Sequence, residues 1–243
     1  MRFGQGKSAL VTGAGSGIGR ALALALAREG HDVLLVGRDK GRLERVMREA
    51  GACARFLVAD LATQEGIDHV AASGPDQLDV LVHSAGYYVR TPVASTSLAE
   101  WGKVDGVNLH APMLLTAAFL PKLITTQGQV VFINSSAGLS SGTHGLAAYS
   151  ASKHALKAAA DCLRQEVNAA GVRVLCIFPG RTDTPMQSRI LAEEGRTPDS
   201  DTLIDANDIA AMALAALKIS RSAEVTDIVI RPLQSMKRTA SCV

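Results

Sequence analysis

The sequence predicts an α/β protein built on one doubly wound, all-parallel sheet of about seven strands with helices on both faces. Two patterns carry this reading. Short runs rich in Val, Ile and Leu alternate along the chain with longer Ala- and Leu-rich stretches of helical period, and strand-helix-strand alternation builds parallel sheets. The short runs also lack polar/apolar alternation, as expected where helices cover both faces of a sheet.

In chain order, strands are expected at 8–12, 32–36, 55–59, 79–83, 129–134, 173–178 and 225–230, and helical patterns stand out at 18–29, 40–50, 149–170 and 206–219. Residues 180–201 read as the longest irregular piece, a mobile flap over a site. There is no internal repeat, low-complexity tract or linker. The 243 residues therefore read as one domain, 1–243, that carries every site the chain has.

Charged residues make up 20% of the chain and the formal net charge is +2, too weak a field to favour nucleic acid or a membrane surface as the main partner. A small-molecule substrate is expected instead. Cys53, Cys162, Cys176 and Cys242 form no CxxC pair and take no metal-ligand spacing with the six histidines. Reduced thiols, no metal and a cytoplasmic location follow as expectations. Residues 1–10 lack an apolar signal core, and no run is read as approaching the roughly 20 apolar residues that span a bilayer.

The first strand runs into "TGAGSGIGR" at 12–20. Gly13, Gly17 and Gly19 between a strand and a helix let the backbone turn sharply and approach a pyrophosphate resting on the helix N-terminus, beside Ser16 and Ile18. Placed at the first βα junction, this is a nucleotide-binding signal. "GQGKS" at 4–8 is not a second one, because it precedes a strand and Met1 stands five residues before Gly6. Further along, Tyr149 and Lys153 stand one helical turn apart on one helix face.

The TGxxxGxG spacing, YxxxK at Tyr149 and Lys153, Ser136 thirteen residues before that tyrosine and Asn108 twenty-eight before the serine together resemble the short-chain dehydrogenase/reductase family. The likeness runs from Thr12 to about Pro232 and implies a Rossmann-type fold that reduces carbonyls or oxidises alcohols with a nicotinamide cofactor. It implies that Tyr149 is the general acid/base, that Ser136 polarises the substrate carbonyl, that Lys153 contacts the nicotinamide ribose, and that Asn108 shapes the helix holding a proton-relay water. A free phenol titrates near 10 and is a poor base at neutral pH. The Lys153 ammonium is therefore expected to pull the Tyr149 pKa down.

"HSAG" at 83–86 stands where the family carries NNAG, with Ala85 and Gly86 expected beside the cofactor and His83 and Ser84 bonding across the central strands. "PGRTDT" at 179–184 matches the family's PGxxxT, so Pro179, Gly180, Thr182 and Thr184 are expected at the nicotinamide carboxamide. Cofactor choice turns on "LLVGRD" at 34–39. NAD-preferring folds place an acid at the end of the second strand; here Gly37 stands there and Arg38 follows, which favours NADP(H) over NAD(H) through charge-assisted bonds to the 2′-phosphate. Asp39 is expected to start the next helix, and Asp60 resembles the family's adenine contact.

Tyr87, His144, Arg181 and Met186 are the candidates to line the substrate pocket, with Arg181 placed to meet a substrate carboxylate or phosphate. The alanine-rich face of the Tyr149 helix suits association as a homodimer or homotetramer. The chain thus reads as an NADPH-dependent carbonyl reductase or alcohol dehydrogenase. A non-catalytic NADP(H)-sensing regulator on the same fold is the alternative.

Overall fold

The computed structural model describes residues 6–140, 142–197 and 202–234. The strands are β1 (Ser8–Thr12), β2 (Asp32–Gly37), β3 (Ala54–Val58), β4 (Val80–His83), β5 (Gln129–Ile133), β6 (Arg173–Pro179) and β7 (Asp227–Ile230). They form one seven-stranded sheet in the order β3-β2-β1-β4-β5-β6-β7, parallel at every pairing. After β3 the chain crosses to the other side of β1. That reversal leaves a crevice above the carboxyl ends of β1 and β4, where open α/β sheets place their ligands.

The helices are α1 (Gly17–Arg28), α2 (Lys40–Ala50), α3 (Gln64–Ser73), α4 (Leu98–Asp105), α5 (Ala111–Thr126), α6 (Ala147–Val167), α7 (Pro185–Glu193) and α8 (Ala206–Lys218). One core layer packs Leu22 and Leu26 of α1, Leu43 of α2 and Ile209 of α8 on one sheet face. The other packs Val70 of α3, Leu115 and Phe119 of α5 and Leu156 of α6 on the opposite face. All five residues of β1 are buried, which accounts for its apolar run "ALV" at 9–11. A substitution such as Leu22→Ala would leave a cavity between α1 and the sheet and cost about 2–5 kcal/mol.

Three expectations are corrected here. The segment read as an irregular flap contains α7, started by Thr184, whose hydroxyl accepts from the Gln187 amide, and by Pro185 at the first helical position. Its exposed face is polar and only nine residues long, so the apolar periodicity was too short to stand out. Second, α4, a π-turn at Gly106–His110 and α5 join into a helical run, Leu98–Thr126, long and apolar enough by composition to cross a membrane. Ala111, Leu115, Phe119 and Leu123 of that run are fully buried, so one apolar face of it belongs to the core, while Leu98, Leu114 and Ile124 are exposed. Third, His83 bonds not across the strands but to the Thr116 hydroxyl on α5 at 2.8 Å, stacked on Phe132. Residues 198–201 of the expected flap, and the end of the chain with Cys242, lie outside the described residues.

Candidate active site

A cavity of about 1200 Å³ opens along the carboxyl ends of β1, β2, β4, β5 and β6. Of the residues singled out in the sequence, Gly13, Ser16, Gly17, Ile18, Arg38, Asp60, Ala85, Gly86, Ser136, Tyr149, Lys153, Pro179, Gly180, Thr182 and Thr184 line it. Gly19 and Asn108 lie behind its wall. His144 is exposed and outside it, contrary to expectation.

At the β1 end the wall is backbone. Gly13 has φ +66°, and a Cβ there would sit 2.7 Å from the Ala85 nitrogen. A Cβ on Gly19 would run into the Gly13 carbonyl, so α1 can start tight against the strand end only with glycine at both places. Ser16 caps α1 in extended conformation with no side-chain cap bond, which leaves its hydroxyl and the first amides of the helix available to an anion. Thr12, which the motif reading passed over, accepts from the Ser84 and Ala85 amides at 3.1 and 3.2 Å and so fixes the loop after β4. Arg38 is exposed at the cavity edge and makes no ion pair among the described residues. Asp39 caps α2, accepting from the Arg42 amide at 3.0 Å, as expected. This cradle fits a dinucleotide.

Above β5, Tyr149 lies in the first turn of α6 and Lys153 one turn on. The Lys153 ammonium is buried, donates to the Ile133 carbonyl at 3.1 Å and sits 5.9 Å from the centre of the Tyr149 ring. Burial pulls its pKa down to about 8. The Tyr149 pKa moves opposite to the expected direction: burial raises it, and the Ser135 side chain beside it works the other way. Ser136, the serine to which the spacing points, lines the same cavity beside Ser135. The Ser135 hydroxyl also caps the short turn Ser136–Gly138 by accepting from the Ala137 amide at 3.1 Å. Two adjacent serines cannot be told apart by spacing when the intervening loop length is free to vary.

Asn108 sits inside the π-turn, an element that concentrates at functional sites. Its amide donates to the Tyr87 carbonyl at 2.9 Å and to the Ser152 hydroxyl at 3.0 Å and accepts from the Tyr87 amide at 2.8 Å. It thereby ties the π-turn, the loop after β4 and α6 together. Asn134, also unread in the sequence, donates to the Lys153 carbonyl at 3.0 Å and accepts from the Ser135 amide at 2.8 Å, fixing the serine against the first turns of α6.

The β6 end of the cavity is walled by side chains. Tyr88 meets the Tyr149 ring edge-on at 5.1 Å, and Met186 and Ile190 of α7 face it from across the opening. Arg181 does not stand free in solvent: both of its terminal nitrogens bond Glu194, at 2.8 and 2.9 Å, and Arg90 adds a third bond at 2.9 Å. The Thr184 hydroxyl is engaged at the start of α7, donating to the Thr182 carbonyl at 3.3 Å.

The family model of the short chain dehydrogenases matches residues 7–195. The chain belongs to the short-chain dehydrogenase/reductase family. Among other members of that family, 1-deoxy-11-beta-hydroxypentalenate dehydrogenase of Streptomyces exfoliatus is 37% identical over 227 residues, 89% of this chain and 82% of the relative. A metagenomic short-chain oxidoreductase solved with NADP superposes with a TM-score of 0.80 at 30% identity, covering 94% of this chain and 98% of the other. The 3-ketoacyl-(acyl-carrier-protein) reductase of Brucella melitensis, solved with NADH, gives 0.83 at 25% identity over 95% and 99% of the two chains. The short-chain dehydrogenase/reductase fold is thus present over nearly the whole length, and the chain is an oxidoreductase.

Proposed function

We propose that the protein is an NADP(H)-dependent carbonyl reductase or alcohol dehydrogenase acting on a small molecule. The observation that carries this reading is the convergence of Tyr149, Ser135 and Lys153 on one cavity wall, facing the glycine cradle of β1 and α1. The nicotinamide cofactor, when bound, supplies or accepts the hydride. In the reducing direction the Tyr149 hydroxyl donates its proton to the substrate oxygen, and the Ser135 hydroxyl holds that same oxygen, so the two donors act on the charge that develops there. Lys153, charged at neutral pH although burial weakens it, favours the phenolate that remains. Asn108 contributes by holding the Tyr87 loop and α6 in register. NADP(H) is the preferred cofactor on this reading, because Gly37 removes the acid that would repel a 2′-phosphate and Arg38 stands unpaired beside it.

The test is NADPH oxidation over a panel of ketones and aldehydes, followed by absorbance. Tyr149→Phe should lower kcat more than tenfold, a loss above about 1.4 kcal/mol, while NADPH still binds. Ser135→Ala should lower kcat by roughly tenfold or more, the worth of about one such hydrogen bond, and Ser136→Ala by less than twofold. Turnover of no carbonyl by the cofactor-loaded wild type would favour a cofactor-sensing protein without catalysis.

A further inference from the structure

The β6 end of the cavity contains more positive charge than the fold needs. Arg90, from the loop after β4, and Arg181, from the loop after β6, converge on the carboxylate of Glu194 at the end of α7. One carboxylate offsets one of the two charges, and Arg189 on α7 lines the same wall. Asp39 and Asp60 line the cavity too, but at the β2 and β3 end; on the β6 side Glu194 is the single acid among the described residues that line it, and Glu193 acts on Tyr88 from nearby.

The pair is also held in place. The stem of Arg90 packs on Gly145, whose missing Cβ would lie 3.1 Å from the Arg90 Cγ, and the Thr91 amide donates to the Gly145 carbonyl at 2.8 Å. Arg181 is fixed by its two bonds to Glu194. Only one Arg90 nitrogen is used on Glu194, and Arg90 lines the cavity, so its other donors remain for a ligand there. Glu194 itself demonstrates that a carboxylate fits between these guanidiniums, a geometry for which arginine is suited and lysine less so.

Resting on the carbonyl chemistry proposed above, we infer that Arg90 and Arg181 recognise a carboxylate carried by the substrate, so that the substrate class is an oxo acid or hydroxy acid. Glu194 is the positioning residue that orients the two guanidiniums. Tyr88, whose ring meets the Tyr149 ring at 5.1 Å, also feels the charges of Arg90 and Glu194, so the carboxylate site and Tyr149 flank the same tyrosine.

The probes are levulinate and its uncharged methyl ester, titrated calorimetrically into the NADP-loaded protein and assayed separately for NADPH oxidation. Wild type should bind levulinate at least tenfold tighter than the ester. Arg90→Gln should erase that difference by weakening levulinate alone, and Arg90→Lys should restore part of it. Equal affinity of wild type for acid and ester, binding of neither, or equal weakening of both by Arg90→Gln would overturn the assignment. Levulinate that binds with the expected preference but supports no NADPH oxidation keeps the carboxylate site and counts against the carbonyl reading, so the two fail separately.

Discussion

The two ends of the cavity are made of different material. Over β1 the wall is main chain, with Gly13 and Gly19 leaving no room for a side chain between the strand end, the α1 start and the Ala85 segment. Over β6 it is side chain, with Arg90, Arg181 and Glu194 delivered by three separate segments and linked by charge. A backbone wall admits almost no change of residue. A wall of charged side chains can be altered one residue at a time. The two ends of one cavity thus answer to different physical constraints.

The largest effect expected from breaking this contrast is at Gly13. Gly13→Ala forces a left-handed backbone on a non-glycine residue, which costs about 1–2 kcal/mol, and pushes a methyl group against the Ala85 backbone besides. Gly30→Ala is the control, because Gly30 has φ +82° but open space around it, so only the backbone cost applies. Gly13→Ala should melt at a lower temperature than Gly30→Ala and lose measurable NADPH binding by fluorescence titration. Equal melting temperatures with cofactor binding intact would remove the close-approach argument.

A smaller effect is expected at Arg38, which follows directly on the end of β2, on the far side of β1 from β6, and offers a side chain rather than backbone. Arg38→Ala should cost NADPH on the order of 1.5–3 kcal/mol of binding, the range for hydrogen bonds to charged groups, and NADH little. Equal wild-type affinity for the two cofactors would count against the assigned preference.

The same contrast explains what was legible in the sequence. The order of strands, the glycine turn at 13–19 and the pairing of Tyr149 with Lys153 depend on local pattern and fixed helical spacing, and each stands where it was expected. Failures came where position depends on loops of variable length or on partners distant in sequence. Spacing alone does not separate Ser135 from Ser136, because the loop between β5 and α6 sets which serine reaches Tyr149. The bond from Arg181 to Glu194 was not legible, because that partner lies across a helix not foreseen in a short polar segment. The Tyr149 pKa went astray for a third reason: the sequence shows the nearby lysine but not the burial, which raises the phenol pKa and directs the lysine ammonium to the Ile133 carbonyl.

The smallest effect sharpens the contrast from the charged side. The Arg181 guanidinium bonded to Glu194 holds that carboxyl below its ordinary range, against the opposing push of burial. A carboxyl whose pKa is lower in the folded chain than in the unfolded one adds stability above the unfolded value, about 4.3 for Glu, and that contribution disappears as pH falls through the lower folded value. The Glu194 side chain is 15% exposed and its two arginine partners about a third, so solvent screens the pair and the expected contribution is about 1 kcal/mol. Glu194→Gln removes it. The wild-type protein should therefore melt higher than Glu194→Gln at pH 7, with the gap closing as pH falls below the carboxylate range. His83, buried and pushed down to about 3, works against stability as pH falls below about 6.5, because only the unfolded chain then takes up its proton. That loss is common to both proteins and cancels in the difference. A gap that stays constant from pH 7 to pH 3 would show that Glu194 holds α7 by shape alone, and the charged wall would then have no electrostatic part in closing the site.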